Sequence, residues 1–371
     1  MTSPASLLTM GVEEEFFLVD SRGRLLQEAP RTVEAATGPH PDVDLKPELV
    51  RSQVESGSEV CRDHRTLLAN LTDLRSTLGS AAAHQGARLM PSGTSVFAPD
   101  DPQRVAAGSR YRHIVEHVGR FLVDDSTCGC HVHVGVADQD TAIQVSNHLR
   151  PWLPTLLALS ANSPFHHGVD TGYASARHLL WGRWPTAGPP PYVDSVEHYE
   201  RIVAGLHDSG AMLDRGMIYW DIRPSEHQST VEIRVHDSVG TATEATLVGV
   251  LVRTLVAEAI ERLDRGVRGP TLPHEVLRAR LWQAAREGLE GRCADPVTGE
   301  PRPVHDILAE LVPRCAGGGR EVEFAREVLA TLRRVGGGAA RQRAAHRRAQ
   351  RGEDVADMLA RGALQVDAIG A

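Results

Sequence analysis

The order of elements predicts an α+β fold, with extended segments concentrated in the first two-thirds of the chain and helices in the last third. Three observations carry this. Residues 13–20 set Phe16, Phe17, Leu18 and Val19 directly behind Glu13, Glu14 and Glu15, the pattern of a strand entering a core. Residues 230–237 alternate Glu232, Arg234 and His236 with Val231, Ile233 and Val235, the two-residue period of a strand with one polar face. From Thr243 onward, helical stretches are divided by Gly317-Gly318-Gly319 and Gly336-Gly337-Gly338. The whole chain, 1–371, reads as a single domain, strand-rich over 9–240 and helix-rich over 241–371. The change near residue 240 is one of element type, and no internal repeat is visible.

The elements follow in order. Strands over 13–20 and 25–27 flank Ser21-Arg22-Gly23, a hairpin turn. Extended segments are predicted over 42–50 and 53–60. Leu67, Leu71, Leu74 and Leu78 then recur at helical spacing, which predicts an amphipathic helix over 63–84 with these leucines in the core. A strand over 89–97, a helix over 102–120, a strand over 128–136 and a helix over 140–161 follow. Glycines and the run Pro189-Pro190-Pro191 make 164–191 a long irregular excursion, a place where function often resides. A helix over 195–208 and strands over 217–223 and 230–237 complete the strand-rich part.

Composition excludes several classes. Hydrophobic content of 41% and charged content of 24% are those of a globular protein. A formal net charge of −8 disfavours nucleic acid and anionic membranes as partners, since both need a cationic footprint. The one strongly basic segment, 341–351, reads as a solvated cationic helix. Aromatic residues, at 4%, are too sparse for a base-stacking platform. Five cysteines, an odd number in a chain too long to need disulfides, indicate reduced thiols and a cytoplasmic setting. The first residues carry no signal-peptide pattern, and no apolar run approaches membrane-spanning length.

The chemistry concentrates in four places. In the stretch Gly11-Val12-Glu13-Glu14-Glu15, strand alternation puts Glu13 and Glu15 on one face and Glu14 on the other. Carboxylates paired in a buried strand require neutralisation by metal, arginine or protons, and a hard divalent ion such as Mg²⁺ suits them. Glu48 and Glu55 lie on neighbouring extended segments and can meet across a hairpin. In Cys128-Gly129-Cys130-His131-Val132-His133, both imidazoles share one face and both thiols the other, which argues against a Cys₂His₂ zinc site. The His-x-His pair fits a metal or phosphate site, or a paired structural role. Last, Glu232 and Arg234 share a strand face, either lining a site or simply pairing with each other. Arg183, in Leu180-Trp181-Gly182-Arg183-Trp184-Pro185, adds a guanidinium suited to phosphate or carboxylate.

Taken together, these motifs resemble those of the bacterial carboxylate-amine ligases related to glutamate–cysteine ligase type 2, in the glutamine synthetase-like superfamily. The resemblance spans nearly the whole chain. It rests on the opening Gly-Val-Glu-Glu-Glu-Phe, Ser52-Gln53-Val54-Glu55 with Cys61, and the segment from Gly129 to Gly135. It continues through Arg183-Trp184-Pro185-Thr186-Ala187-Gly188-Pro189-Pro190, Tyr219-Trp220-Asp221-Ile222-Arg223-Pro224, Glu232-Ile233-Arg234-Val235 and the tail Gly338-Ala339-Ala340-Arg341-Gln342-Arg343.

The resemblance implies a curved antiparallel sheet forming a funnel with packed helices, ATP with Mg²⁺ or Mn²⁺, and amide formation through an acyl phosphate. It implies glutamate as acyl donor, an amine as acceptor, and leaves room for a homodimer. Carried over by position, Glu13, Glu15, Glu48, Glu55, His133 and Glu232 become the metal ligands. His131 joins Arg223 and Arg234 at the nucleotide, and Arg183, Arg223 and Arg234 become the catalytic anchors.

Two departures stand out. Relatives tend to read Arg-Pro-His-Pro-x-x-Pro-Thr where this chain has Arg223-Pro224-Ser225-Glu226-His227-Gln228-Ser229-Thr230, and His236 stands where a small residue or Cys is usual. Both are expected to redirect the acceptor side, leaving at most weak activity with cysteine. Ser56-Gly57-Ser58 is expected to loosen the second acidic strand. Two other classes could use the same residues: a metal-dependent amidohydrolase with metal-activated water, and a non-catalytic ATP-binding member of the fold.

Overall fold

Strand β1 (Met10–Val19) organises the main sheet in the computed structural model, which describes residues 8–38 and 44–365. The next strands are β2 (Asp44–Pro47), β3 (Gln53–Gly57), β4 (Arg88–Met90) and β5 (Gly129–Gly135). Strands β6 (Phe165–His166) and β7 (Val169–Asp170) form a separate small hairpin, and β8 (Ile222–Pro224) and β9 (Thr230–Asp237) return to the main sheet. A further two-stranded ladder joins β10 (Arg292–Ala294) to β11 (Pro301–Pro303). The main sheet has seven strands in the order β2-β3-β1-β5-β9-β8, with β4 pairing the far end of β1, and all its pairings are antiparallel. It is not closed into a barrel: β2 and β8 end the path.

Helices cover one face of this sheet and close the ends of the other. In chain order they are α1 (Ala29–Thr37), α2 (His64–His84), α3 (Ser109–Val118), α4 (Arg120–Val123), α5 (Gln139–Leu149), α6 (Leu153–Ser160), α7 (Ala176–Trp181) and α8 (Val196–Asp208). The helix-rich part holds α9 (Ala242–Asp264), α10 (His274–Glu287), α11 (Val304–Leu311), α12 (Gly319–Val335), α13 (Gly338–Ala349) and α14 (Gly352–Ala363). Met10, Val12, Phe16 and Leu18 of β1 share a buried cluster with Leu67, Leu71, Leu74 and Leu78 of α2 and with Val248, Leu251 and Val252 of α9. Phe17 and Val19, of the opposite parity, pack with Val355, Ala356 and Leu359 of α14. The predicted leucine stripe is therefore core, and Asp63 caps its helix by accepting from the amides of Arg65 and Thr66 at 3.0 Å.

The expected elements differ from the observed ones where proline, glycine or side-chain bonding intervenes. Extension over 89–97 stops at Met90, because Pro91 offers no amide and Ser92 bonds the Asn162 carbonyl instead. The helix expected from 102 begins only at Ser109, behind Gly108 at φ 143°. The long helix over 140–161 is two helices, divided by a 3₁₀ turn at Arg150–Trp152 that contains Pro151. Residues 25–27 contribute only an isolated bridge, Val19 to Leu25. In the expected segment 42–50, residues 42 and 43 lie outside the described residues, and in 53–60 the strand ends at Gly57. In 217–223 the chain turns through Arg215–Met217 before β8 begins at Ile222. The 164–191 excursion contains α7, which the glycine and proline content hid. Basic 341–351 falls mainly in α13, where Arg341 pairs with Glu244 and Arg343 with Asp170.

Candidate active site

The face of the sheet opposite α2 and α9 forms the floor of a cavity of about 510 Å³, within the range usual for small-molecule sites. Glu13 and Glu15 rise from β1, His131 and His133 from β5, Glu55 from β3, Arg223 from β8, and Glu232 and Arg234 from β9. Register brings them together: Glu13 lies opposite His131, Glu15 opposite Glu55, His133 opposite Glu232, and Arg223 opposite Glu232. Glu14, pointing the other way, is buried in a bidentate pair with Arg75 at 2.6 and 2.9 Å.

The six residues expected to hold metal separate into two groups of three. Glu13, His133 and Glu232 offer ligand atoms that all lie within 4.8 Å of one another, as do Glu15, Glu48 and Glu55. In the first group, His133 Nε2 stands 3.6 Å from Glu13 and 4.0 Å from Glu232, buried but without a hydrogen bond. Its Nδ1 meets the Thr230 hydroxyl at 3.0 Å, an outer contact that holds the ring with Nε2 turned toward the two carboxylates. In the second group, the Gly129 amide donates to Glu15 Oε2 at 2.6 Å and Lys46 pairs with Glu55 at 2.8 Å. The convergence of carboxylates in both groups fits hard divalent cations, and the buried His133 Nε2 offers the first group a further ligand.

Electrostatics separates the two groups further. Burial first, then the neighbouring Glu48 and Glu13, push Glu55 well above the ordinary carboxylate value; burial and Glu15 raise Glu48. Burial works against Glu232 as well, but Arg234 and Arg223 overcome it and hold its carboxyl far below the usual range. Arg223 Nε donates to Glu232 at 2.7 Å, its Nη1 donates to the Ile218 carbonyl at 2.7 Å, and Arg234 donates to the other Glu232 oxygen. Burial and the Arg234 charge lower the pKa of His131, which stands 3.4 Å from Glu13 and 3.7 Å from Glu15. The first group thus has guanidinium partners, whereas the second has a single lysine.

Arg183 sits apart from this gathering. Its guanidinium pairs with Asp125 at 3.0 Å and covers the ring of Phe121, so it reaches the cavity wall only through Asp125. His236 does not line the cavity either. Between the pairs Cys130–His236 and Val132–Ile233, β5 has one residue and β9 has two, a bulge that interrupts strict alternation. His236 is fully buried, bonded to the Cys130 carbonyl, and burial pushes it down to about 3. The expected loosening at Ser56-Gly57-Ser58 is replaced by a regular strand end: a Cβ on Gly57 would lie 2.5 Å from Asp44. Ser225, Glu226, His227 and Gln228 line the cavity mouth, with Glu226 tied to Arg215 at 2.9 Å.

Several cavity residues had no assigned role in the sequence. Lys46 is one, though Asp44, Lys46 and Glu48 recur with a period of two that places them on one face. Arg177 is another: it is buried, donates to the Arg234 carbonyl at 3.3 Å, and approaches so closely that a Cβ on Gly129 would lie 2.4 Å from its Nη2. Opposite the acidic floor stands an aromatic wall of Tyr111, Trp181, Trp184 and Tyr219, with the Trp181 and Tyr219 rings 5.0 Å apart.

Family and fold comparisons place the chain among the ATP-dependent ligases that join a carboxylate to an amine. The chain belongs to glutamate–cysteine ligase family 2, whose model matches residues 9–360. A Rhodococcus jostii protein provisionally named glutamate–cysteine ligase 2-1 is 44% identical over 95% of this chain and 96% of its own. A Saccharopolyspora erythraea protein provisionally named glutamate–cysteine ligase 2-2 is 44% identical over 91% of this chain and 88% of its own. In fold, the chain is similar to the glutamate–cysteine ligase of Francisella tularensis solved with AMP (TM-score 0.67, 13% identity, 97% of this chain and 89% of that one). It is also similar to a complex of the prokaryotic ubiquitin-like protein Pup with its ligase (TM-score 0.53, 12% identity, 98% of this chain and 74% of that one). The protein is accordingly an ATP-dependent enzyme that forms carbon–nitrogen bonds. None of these findings lends support to an amidohydrolase.

Proposed function

We propose that the protein activates glutamate with Mg-ATP as an acyl phosphate and transfers the acyl group to an amine other than cysteine. The observation that carries this reading is the meeting of two three-ligand groups and a guanidinium pair in one cavity. Glu13, His133 and Glu232 would hold one divalent ion, and Glu15, Glu48 and Glu55 another. Such ions would offset the repulsion between a carboxylate and the nucleotide's γ-phosphate.

The chain's own residues do the remaining work. Arg223 and Arg234 are anchored by backbone and Glu232, so their charge is in place before the transferring phosphoryl develops its own. Lys46 neutralises Glu55 from the β2 edge. The aromatic wall helps exclude water, which matters because an acyl phosphate hydrolyses. On the acceptor side, Ser225 to Gln228 supply polar groups at the mouth. The thiols of Cys61, Cys128, Cys130, Cys293 and Cys315 are all free and buried, which supports a cytoplasmic setting. Among the described residues, no helix is long and apolar enough to cross a membrane.

A panel of amines offered with Mg-ATP and glutamate tests the proposal. Release of ADP coupled to a new glutamyl amide, seen by mass spectrometry, is expected with an amine other than cysteine. Cysteine giving the highest kcat/KM would overturn the acceptor assignment, and amide formation without ADP release would overturn the mechanism.

A further inference from the structure

A second set of donors lies beside the catalytic cavity and belongs to neither carboxylate group. Asp125, His166 and His167 offer ligand atoms that lie within 4.8 Å of one another. Both imidazoles turn their Nε2 atoms toward the same oxygen, Asp125 Oδ1, at 3.4 Å from His166 and 3.0 Å from His167. The two rings lie side by side, with centroids 3.8 Å apart and planes inclined by 24°. We propose that these three residues bind a borderline divalent transition-metal ion, of the Zn²⁺ or Co²⁺ class, at the rim of the cavity.

Local structure explains how neighbouring histidines in sequence come to share a target. In a regular strand they would face opposite sides. Here the pairing of His166 with Val169 closes a two-residue hairpin loop at His167-Gly168, with φ values of 51° and 81°. That is the turn for which Asn-Gly is the favoured pair, and a histidine in the left-handed position is uncommon. The turn swings the His167 ring back alongside His166. Asp125 is fixed independently: Arg183 Nη1 takes its Oδ2 at 3.0 Å, and Arg183 Nε is itself held by the Leu180 carbonyl at 3.1 Å. One carboxylate oxygen is therefore committed and the other is presented to two imidazoles.

The donor set decides the metal. Two imidazoles and one carboxylate suit zinc, cobalt and nickel, whereas magnesium prefers all-oxygen ligands and keeps its water. The cluster is open to solvent, with side-chain exposures of 19% for Asp125, 21% for His166 and 45% for His167, so an ion can enter without crossing the catalytic cavity. Asp125, Ser126 and Thr127 form part of the cavity wall, and Gln53 on β3 donates to the Thr127 carbonyl at 2.8 Å. An ion in this position would clip the β6–β7 hairpin to that wall. This site stands independently of the substrate reading above.

Equilibrium dialysis of the full chain against Co²⁺, in saturating Mg²⁺ to fill the carboxylate groups, tests the assignment, with the cobalt visible absorption spectrum reporting imidazole ligation. About one tightly held Co²⁺ per chain is expected, weakened by roughly 100-fold in His167→Asn and in Asp125→Asn. Asparagine suits the left-handed turn position, so His167→Asn keeps the hairpin. Glu13→Gln and Glu232→Gln should retain the same Co²⁺ site. No tight Co²⁺ in the parent protein, undiminished binding in His167→Asn, or loss of binding in Glu232→Gln alone would each overturn the proposal.

Discussion

Glu13, Glu14 and Glu15 are adjacent and chemically identical, yet β1 delivers them into two different environments. On the helix side, Glu14 meets Arg75, whose remaining N–H groups donate to the carbonyls of Val239 and Gly240 at 3.0 and 3.1 Å. Charge and hydrogen bonding are both settled there without any ligand. On the cavity side, Glu13 and Glu15 join further carboxylates, and among the described residues the second group pairs with one lysine, Lys46, and no arginine. A buried acid with a fixed partner holds the fold together; buried acids in excess of their partners make a site.

The largest effect that tests this contrast is on turnover. Glu15→Gln or Glu232→Gln should abolish ADP release, a loss beyond roughly 10,000-fold or about 5.5 kcal/mol of transition-state stabilisation, with the fold retained by circular dichroism. Near-normal turnover in both variants would remove the distinction between the two faces. On the helix side the opposite pattern is expected. Arg75→Met should cost about 3–5 kcal/mol in urea unfolding by leaving Glu14 buried and unpaired. Combining it with Glu14→Leu should recover much of that loss, as measured by the unfolding midpoint.

Smaller effects sharpen the comparison within the cavity. Arg234→Lys keeps a charge but loses the planar fork on Glu232, so kcat should fall roughly 10-fold or more while the KM for ATP changes little. A change confined to KM would place Arg234 in binding alone.

The pH response follows from the raised carboxyls. With Glu48 and Glu55 held above their ordinary 4.5, the metal-free folded protein carries more protons than the unfolded chain above that pH. Their contribution to stability is present below about pH 4.5 and is lost as pH rises through their folded values. A divalent ion that takes the place of those protons should raise the melting temperature by a few degrees more as pH climbs away from about 4.5, because fewer protons then compete for the carboxylates. A Mg²⁺ effect that does not vary with pH, or one unchanged in Glu55→Gln, would count against the second group as a metal site. Least in size, introducing prolines across 225–229 should shift relative kcat/KM among amines by about 1–3 kcal/mol.

The regular parts of the sheet were legible because alternation is a local rule. The two-faced reading of Glu13, Glu14 and Glu15 required only that β1 be regular, and the same rule put His131 and His133 on one face. It failed at His236, because the bulge in β9 depends on pairing with β5, which the sequence of β9 does not reveal. The partner of Arg183 was hidden for a related reason: its motif named a guanidinium without naming Asp125, which lies 58 positions earlier. Arg177 was hidden because its contacts join distant segments, whereas Lys46 meets Glu55 across the neighbouring strand and was available from the period of Asp44, Lys46 and Glu48. Element ends were least legible where one proline or glycine outweighed a periodic pattern, as at Pro91 and Gly108.

Arg75 carries one further implication. Besides Glu14 and the β9–α9 connection, it donates to the carbonyl of Ala363 at 3.4 Å, at the end of α14. One guanidinium thus touches β1, the segment after β9, and α14, whose Ala363 lies 288 positions from Arg75. Among the described residues α14 is the last helix, so this acceptor comes from a segment far along the chain from β1 and α2. The acid that faces away from the cavity is thus tied, through one guanidinium, to the connection that follows β9 and to α14, so the two sides of β1 are braced by segments from both parts of the chain.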